Sequence, residues 1–263
     1  MIERARPLGT QILIAASLLA AWETAGRLSV SFMFMLGTPS AILGEFVRML
    51  VDEGLAWHFL VTGTEAVVGL TIGTLVGLGF GLSLWFSDYA ARIARPFVIV
   101  LGSLPIIAFA PLMIIWFGIG IEMKMALAAL STLFIAFNQA HRGVSSVAET
   151  YVDVMRGMNA PRRQTFVKVV IPGSMDWMFS SMRLNVGFGL LGAFIGEFIS
   201  SDKGLGYVIL RASALYNVPR ALAAAAGIAI LALLLDAFGG WVEKHRYVIV
   251  QFISVPRPLW RNR

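Results

Sequence analysis

The sequence predicts an all-α, polytopic membrane protein with about six transmembrane helices. Of its 263 residues, 58% are hydrophobic and only 14% are charged, and the mean hydropathy is +0.78. Soluble globular domains carry about 25% charged residues, so this composition belongs to the membrane class. The chain has no cysteine, which excludes a disulfide scaffold, a thiolate metal site and a cysteine nucleophile.

Six segments have the length and the apolar content of a transmembrane helix. They cover about residues 10–31, 61–86, 97–117, 123–141, 177–199 and 221–242. Arg4 and Arg6 precede the first segment as basic residues precede a signal peptide, but its apolar run continues past Trp22 without a clear cleavage site. We therefore expect a retained helix, and an even number of spans places both termini on one side of the membrane.

The distribution of basic residues predicts the orientation. Of the 21 lysines and arginines, fourteen lie on the side of the termini, six lie on the other side, and Arg183 lies within a span. The positive-inside rule places both termini and the loop 142–176 in the cytoplasm. The net charge of +6 is thus mostly an orientation signal, and no segment is long enough to form the basic domain that nucleic-acid binding requires.

The loop after the first span, about residues 32–60, contains a short amphipathic segment over residues 41–51. We expect this segment outside the cell, lying flat at the membrane interface. The predicted organisation is therefore a first part, residues 1–60, with the first transmembrane helix and this segment, and a core domain, residues 61–263, with five transmembrane helices and the loop 142–176.

Glycines recur along one face of two predicted spans. The second span carries them at Gly69, Gly73, Gly77 and Gly81, and the fifth span carries them at Gly192 and Gly196. A spacing of four residues lines small residues along one helix face, where a neighbouring backbone can approach closely. Two interpretations stay open: a surface on which a pore-lining helix packs or slides, and ordinary tight helix packing.

Two prolines interrupt the third span, in SLPIIAFAPLMIIWFGIG. Pro105 and Pro111 each lack a backbone N–H donor, and proline inside a helix kinks or breaks it. Backbone left unpaired within a membrane must be covered by protein or line a cavity. These prolines therefore favour a broken, pathway-lining helix over one that faces lipid.

Ionisable and amide side chains inside the spans are further candidates for a pathway lining. Glu65 lies about one turn into the second span, whereas Glu197 is close enough to the end of the fifth that placement at the interface is an equal alternative. Asn138 and Asn185 lie within the fourth and fifth spans, and Arg183 either faces inward or extends to the headgroups. Charges are costly in lipid, so we expect those inside spans to face the bundle interior.

The cytoplasmic loop contains a short amphipathic helix, predicted over residues 147–158. Tyr151, Val154, Met155 and Met158 fall on one face at helical spacing. Apolar faces rich in methionine adapt to the grooves of partner proteins. Docking into a partner and lying on lipid headgroups are equal alternatives at this point.

A turn and a second short helix follow. Asn159 is one of the few residue types besides glycine that tolerates the left-handed conformation ending a helix. Pro161 suits the first position of a helix over residues 161–170, and Pro172-Gly173 is expected to end that helix before the fifth span. The predicted product is an elbow that projects an apolar tip into the cytoplasm.

The elbow resembles the E-A-A-x3-G-x9-I-x-L-P signature of integral-membrane permeases of binding-protein-dependent ABC importers. Aligned on Pro172, Asp153 stands at the glutamate, Val154 and Met155 at the two alanines, Asn159 at the glycine, Val169 at the isoleucine and Ile171 at the leucine. The charge type, the turn-tolerant residue and the terminal proline match, whereas the literal Glu, Ala-Ala and Gly do not.

Three further blocks look like the nitrate/sulfonate/taurine subfamily of such permeases, in the order of the family. They are TPSAI at 38–42, SLPIIAFAPLMIIWFGIG at 103–120 and GEFISSDKGLGYVIL at 196–210. The resemblance thus covers nearly the whole chain. One departure is Glu65, which stands where the subfamily often has a basic residue and so counts against an anionic substrate.

The resemblance implies a type I ABC importer permease fold in a bacterial cytoplasmic (inner) membrane. It also implies the partners: a second permease copy, as a homodimer, two cytoplasmic ABC ATPase subunits and an external solute-binding protein. The helix 149–160, between the fourth and fifth spans, would be the coupling helix. Its expected docking residues are Tyr151, Asp153, Val154, Met155, Arg156, Met158, Asn159, Ala160 and Pro161. The cargo would be a small solute of the sulfonate, nitrate or heteroaromatic kind.

The sequence excludes an ATPase and disfavours other enzymes. It lacks the G-x-x-x-x-G-K-[ST] phosphate loop, so ATP and Mg²⁺ would bind to the partner ATPase and the chain itself would need no cofactor. His58, His141 and His245 form no metal-binding pair at helical spacing, and no nucleophile with a positioned base is recognisable. The remaining alternative is a secondary, ion-coupled transporter, although the broken third span has no recognisable copy in the other half.

Overall fold

The computed structural model describes residues 5–245, with side chains from residue 9 onward, and all regular structure in that range is helical. The α-helices are α1 Ala5–Leu28, α2 Val30–Leu36, α3 Pro39–Asp52, α4 Leu55–Ser83, α5 Asp88–Ser103, α6 Ala110–Phe117, α7 Ile121–Ser145, α8 Glu149–Gly157, α9 Arg162–Thr165, α10 Ile171–Ile199, α11 Leu205–Ala214 and α12 Val218–Lys244. The all-α prediction is confirmed. Residues 1–4 and 246–263, which supply part of the basic charge used for the orientation, lie outside the described range.

Four helical runs in the described range are long and apolar enough to cross a membrane, and two bent helix pairs raise the number to six. The four runs are Leu55–Phe86, Ile121–Ser145, Arg162–Ile199 and Val218–Lys244, and they contain the predicted second, fourth, fifth and sixth spans. The bent pairs are Val30–Leu36 with Pro39–Asp52, and Asp88–Ser103 with Ile106–Phe117. The polytopic membrane fold is therefore confirmed.

The first predicted span, residues 10–31, corresponds mostly to α1, which is not among these runs and pairs, and the side chains of Leu13 and Leu18 on α1 are exposed. The predicted amphipathic segment 41–51 lies within α3. That helix begins after Thr38, whose hydroxyl accepts a hydrogen bond from the N–H of Ala41 and so satisfies one of the unpaired donors of the first turn.

The third predicted span is broken, as its prolines predict. Helix α5 ends at Ser103, Leu104 is extended, and the chain continues through the 3-10 turn Ile106–Phe109 into α6 at an angle of 95° to α5. A residue before proline is disfavoured in helical conformation, which explains why Leu104 leaves the helix. Pro111 lies in the first turn of α6, where its missing N–H has no helical partner to lose.

The expected helix end at Pro172-Gly173 is wrong. The chain is helical without interruption from Arg162 to Ile199, with a π-helical turn over Phe166–Val170 between α9 and α10. Pro172 removes the hydrogen bond that its N–H would donate one turn back, and a local π turn is one of the adjustments by which membrane helices accommodate such a proline. The elbow is therefore joined to the fifth span by a continuous helix.

Contacts divide the chain into two compact units. Among the described residues, the first unit contains residues 5–61 and 202–229, and the second contains residues 62–201 and 230–245. The core of the first unit is formed by six buried side chains: Met49, Leu55, Leu205, Val208, Ala223 and Ala224. The proposed division of the chain at residue 60 into a first part and a core domain stays a prediction.

The second unit is built around α7 and α10. The backbones approach so closely that a β-carbon added at Gly192 would lie 2.6 Å from the Cα atom of Ala128, and one at Gly143 would lie 2.9 Å from the Cβ atom of Ser174. The Ser131 hydroxyl also donates a hydrogen bond of 2.7 Å to the carbonyl oxygen of Phe188. This pair of helices positions both candidate sites described below.

Candidate functional site

An exposed apolar surface lies on α8, which follows α7 and precedes α10 in the sequence. The side chains of Tyr151, Val154 and Met158 are 64%, 57% and 73% exposed, and we call these three residues the α8 apolar face. Large apolar side chains that project together from a short loop helix indicate a surface that another molecule covers.

The shape of the elbow follows from its turn residues. Asn159 adopts φ +55°, its N–H donates to the carbonyl of Arg156, and the N–H of Ala160 donates to the carbonyl of Met155 at 3.0 Å. This is the Schellman arrangement that ends a helix, with asparagine in the position usually held by glycine. The left-handed turn predicted at Asn159 is therefore confirmed, and Pro161 then immediately precedes α9.

The remaining docking candidates divide between the two sides of α8. Asp153 and Arg156 form an exposed ion pair of 2.9 Å, which contributes little to stability in water. Met155 and Val152 are only half-exposed, less than the three residues of the α8 apolar face. The predicted face therefore contains Tyr151, Val154 and Met158 but not the whole of Met155.

An aromatic cluster connects the elbow to the end of α4. The ring of Phe166, in the π turn, lies 5.5 Å from the ring of Trp85 and 4.7 Å from the ring of Phe86, measured between centroids. Aromatic pairs at this separation add to the stability gained from burial. Phe166 thus joins the elbow to residues that directly follow α4 as well as to α10.

A second site is a buried polar network formed by five residues: Thr62 and Glu65 of α4, Lys124 of α7, Glu197 of α10, and Ser201 just after α10. The side chains of Glu65 and Glu197 are wholly buried, and Lys124 is 5% exposed. The Nζ atom of Lys124 lies 3.1 Å from Oε1 of Glu65 and donates a hydrogen bond of 2.8 Å to the Ser201 hydroxyl.

The carboxylate of Glu197 is hydrogen-bonded, whereas that of Glu65 has the Lys124 ion pair but no hydrogen-bond partner among the described residues. Thr62 donates through its hydroxyl to Oε1 of Glu197 at 2.6 Å. Thr62 and Glu65 lie one turn apart on α4, and Glu197 and Ser201 lie one turn apart at the end of α10, so the network connects three helices. Buried charges of this kind persist only when they are paired and hydrogen-bonded.

Sequence reasoning missed Lys124 as a site residue: it stands at the start of the predicted fourth span and is one of the six basic residues assigned to the outer side. The structure places it in the first turn of α7, buried beside Glu65. Its position only three residues after Ile121, at the start of an apolar span, was the available signal. The side chain of Glu197 is fully buried within the protein, and its placement at the membrane interface stays a prediction.

The other pathway candidates are not part of the network. Asn185 is buried and donates from Nδ2 to the Thr74 hydroxyl at 2.8 Å, which ties α10 to α4 at another level. Asn138 is half-buried and donates to the carbonyl of Phe134 in its own helix, while Pro105 and Pro111 are exposed at the α5–α6 break.

The glycine row of α4 lies against α7. A β-carbon added at Gly69 would lie 2.7 Å from the carbonyl oxygen of Met125, and one at Gly81 would lie 2.5 Å from that of Phe137. Gly73 and Gly77 lie even closer to backbone carbonyls of α7. The glycine spacing therefore allows direct contact between the two backbones.

Gly196 does the same for α10, next to the network. A β-carbon there would lie 3.0 Å from the Cα atom of Lys124. The absence of a side chain at this position lets α10 approach the start of α7 and brings the ends of three helices close enough to share buried charges.

Arg183 forms ion pairs with two acidic residues of α12. Its guanidinium lies 3.4 Å from Asp236 and 3.6 Å from Glu243, and the side chains of Arg183 and Asp236 are about half exposed. It pairs with neighbouring carboxylates and is separate from the buried polar network.

Comparisons with known proteins agree on one kind of molecule. Residues 69–246 match the family described as "Binding-protein-dependent transport system inner membrane component", a range that includes α8 and Lys124. The chain is 28% identical over 239 residues to the taurine transport system permease protein TauC of Escherichia coli (strain K12), covering 88% of this chain and 87% of that protein.

A second relative and a solved structure extend this comparison. The chain is 25% identical over 218 residues to the formylaminopyrimidine transport permease protein ThiX of Halalkalibacterium halodurans, covering 82% of this chain and 86% of that protein. A chain of the MetNI methionine ABC transporter superimposes with a TM-score of 0.63 at 17% identity, covering 76% of this chain and 96% of that one. At this identity the superposition shows the fold, which is that of type I importer permeases.

Proposed function

The chain belongs to the family of inner membrane components of binding-protein-dependent transport systems, of the nitrate/sulfonate/taurine type, and we propose that it forms the translocation pathway of an ATP-driven importer. The observation that carries this proposal is the α8 apolar face, presented between two spans inside the family match. A transport subunit without a phosphate loop of its own needs such a surface to receive force from an ATPase.

The proposed complex contains two copies of this permease, two cytoplasmic ABC ATPase subunits and an external solute-binding protein. ATP and Mg²⁺ would be held by the ATPase subunits. The positive-inside distribution supports cytoplasmic termini and a cytoplasmic α8, in the inner membrane of a bacterium. In this orientation the α8 apolar face would sit in a groove of the ATPase.

The structure supports a mechanical route from α8 into the membrane. Movement of α8 would pass through the turn at Asn159 into the helix from Arg162 to Ile199, which is continuous and includes α10. It would reach α4 through the contact of Phe166 with Trp85 and Phe86. Two of the three helices that share the buried polar network would thus respond to the same push. Alternating access would follow as these helices move between discrete packed arrangements.

We propose a small organic or inorganic solute as the cargo, in keeping with relatives whose names specify taurine and formylaminopyrimidine. Glu65 is not an isolated carboxylate in this arrangement, because its buried side chain lies 3.1 Å from the ammonium group of Lys124.

Reconstitution tests the proposal. The permease would be placed in liposomes with its ATPase and solute-binding protein, and uptake of radiolabelled taurine or of a candidate identified from the binding protein would be measured. We expect uptake that requires internal ATP and the binding protein and that persists when the proton gradient is collapsed. Uptake that continues without ATP but stops with the gradient would instead identify a secondary transporter.

A further inference from the structure

The buried polar network contains more acidic than basic groups. Its ionisable members are Glu65 of α4, Lys124 of α7 and Glu197 of α10, and all three side chains are buried. With every group ionised, two carboxylates would share a single ammonium group inside the helix bundle. A buried charge without a counter-charge is costly, so such a group is neutralised instead.

The two carboxyl groups of the network lie close together. Thr62 and Glu65 are one turn apart on α4, and the Thr62 hydroxyl donates to Oε1 of Glu197 at 2.6 Å, so Glu197 meets the face of α4 that carries Glu65. The carboxyl groups of Glu65 and Glu197 are within reach of a direct hydrogen bond. Ionised carboxylates only accept hydrogen bonds, so a contact between two of them needs a proton.

The oxygens of Glu65 supply an independent observation. Both Oε atoms are buried and have no hydrogen-bond partner among the described residues. Lys124 lies 3.1 Å from Oε1 as the counter-charge, but its ammonium group donates to the Ser201 hydroxyl. Buried polar atoms in native structures normally have a partner, which points to a missing donor next to Glu65.

We propose that Glu65 and Glu197 bind one proton between them at neutral pH, with Glu197 as the protonated partner. Glu65 then remains ionised beside Lys124, and the network is electrically neutral. Oε1 of Glu197 accepts from Thr62, and the other oxygen carries the proton and donates it in a hydrogen bond to Glu65. A protonated carboxyl group has one O–H donor and spare acceptor capacity, so it meets both demands. The proton thus links α4 to α10.

The surroundings of the pair favour a proton over a metal cation. The charged groups that act on Glu65 from the neighbouring helices are Lys124 of α7 and Glu197 of α10. Within residues 5–245, no set of three histidine, aspartate or glutamate side chains could hold a metal ion. Hard cations such as Ca²⁺ need about six or more oxygen ligands, whereas a proton needs only the two carboxyl groups.

A shared proton gives the stability of the fold a pH dependence of definite sign. A glutamate in the unfolded chain releases its proton near about pH 4.3, whereas the folded chain retains the shared proton at neutral pH. Between these limits the folded state binds one proton more than the unfolded state, so stability falls as the pH rises. For a chain of this size, the thermal midpoint should fall by about 3 °C for each pH unit.

Thermal unfolding of the purified full-length permease tests this dependence between about pH 5 and about pH 8. The amide of Glu197→Gln can accept from Thr62 and donate to Glu65, as the protonated carboxyl group does. We expect this variant to lose a slope of about 3 °C per pH unit relative to the unmodified chain. Glu122→Gln is the matched control, because Glu122 is an exposed glutamate in the first turn of α7, and it should retain the slope.

Infrared difference spectroscopy detects the proton directly. The carbonyl stretching band of a protonated carboxylic acid is distinct from the bands of carboxylates. It should be present at neutral pH in the unmodified chain and in Glu122→Gln, and it should be lost in Glu197→Gln. Because the band is first read in the unmodified chain, this test does not depend on whether a variant folds.

Two results would overturn the proposal. One is the absence of a protonated carboxyl band from the unmodified chain at neutral pH. The other is stabilisation of the chain by sodium over choline at constant ionic strength, with no pH slope that Glu197→Gln removes. That second result would assign the neutralisation of Glu65 and Glu197 to a bound cation.

Discussion

The α8 apolar face and the buried polar network lie in the same unit of the molecule but place their side chains in opposite environments. Tyr151, Val154 and Met158 expose apolar surface on a loop helix, whereas Glu65 and Lys124 bury opposite charges between helices. Covering exposed apolar surface with a partner lowers the free energy of the complex. Removing the partner of a buried charge raises the free energy of the folded state. The first region should therefore matter for assembly, and the second for the stability of the helix bundle.

Replacing Lys124 should have the largest effect on stability. Lys124→Met leaves the wholly buried Glu65 without its cation, and breaking a buried ion pair from one side costs about 3–5 kcal/mol. We expect a large fall in folded yield and in the thermal midpoint of the purified permease. Lys168→Met, at an exposed lysine, serves as the control and should change neither quantity.

A second substitution shows whether the loss comes from the unpaired charge. Glu65→Gln combined with Lys124→Met removes both charges and should recover part of the stability lost in Lys124→Met. If the double variant is less stable than Lys124→Met alone, the carboxylate does not depend on the lysine and the network is described incorrectly.

Filling a close approach between α4 and α7 should have an intermediate effect. Gly73→Ala would bring a β-carbon into collision with the carbonyl oxygen of Ala129, and such overpacking costs about 1–3 kcal/mol. Gly79→Ala is matched to it, because position 79 lies on the same helix with open space around it. Thermal unfolding of both variants measures the difference, and equal midpoints would show that the two backbones are not in contact.

Removing one hydrogen bond of the network should cost less. Thr62→Val deletes the donor to Glu197 while nearly preserving the shape of the side chain, and the loss of one hydrogen bond costs about 0.5–1.5 kcal/mol. Thr71→Val is the control, since the exposed Thr71 hydroxyl donates only to the carbonyl of Val67 in its own helix. A lower thermal midpoint is expected for Thr62→Val alone, and equal shifts in the two variants would contradict a specific role for Thr62.

The smallest effect on stability, and a large effect on assembly, is expected at the α8 apolar face. Val154→Asp places a charge on an exposed position. The free energy of unfolding of the isolated permease should therefore change by no more than about 0.5 kcal/mol, which a thermal unfolding measurement would show. In an apolar groove the same carboxylate is desolvated without a partner, which should reduce ATPase co-purification and ATP-driven uptake by about tenfold or more.

Val154→Leu is the matched variant at the same position, because it keeps the apolar character and should retain the ATPase. Val154 is a better probe than Met155, because the side chain of Met155 is half-buried and a charge there would also affect stability. If Val154→Asp retains the ATPase and transports normally, the α8 apolar face is not the docking surface.

Features of the fold that depend on neighbouring residues could be predicted from the sequence. The apolar runs predict the spans, the helical spacing of apolar residues predicts α8, and Asn159 predicts the left-handed turn observed at φ +55°. The break near Pro105 follows from the conformational limits of proline and of the residue before it. Each of these predictions uses only local stereochemistry or hydropathy.

Features that depend on which distant segments meet could not be predicted in the same way. The predicted helix end at Pro172 is wrong because a π turn accommodates the hydrogen bond that proline cannot donate. Such a turn leaves no clear signal in the sequence. The half-buried side of α8 at Met155 depends on what packs beneath the helix, and helical spacing alone cannot distinguish it from the exposed side.

By itself, the sequence determined an all-α membrane protein, the elbow at Asn159 and the resemblance to importer permeases, since composition, turn chemistry and motif order are local properties. Only the tertiary structure decided that Glu65 has Lys124 as its partner and that Glu197 lies in the same network. The physical reason is that the free energy of a buried charge depends on the groups around it in space. Those groups come from helices far apart in the chain, which meet where glycines such as Gly73 and Gly196 let the backbones approach.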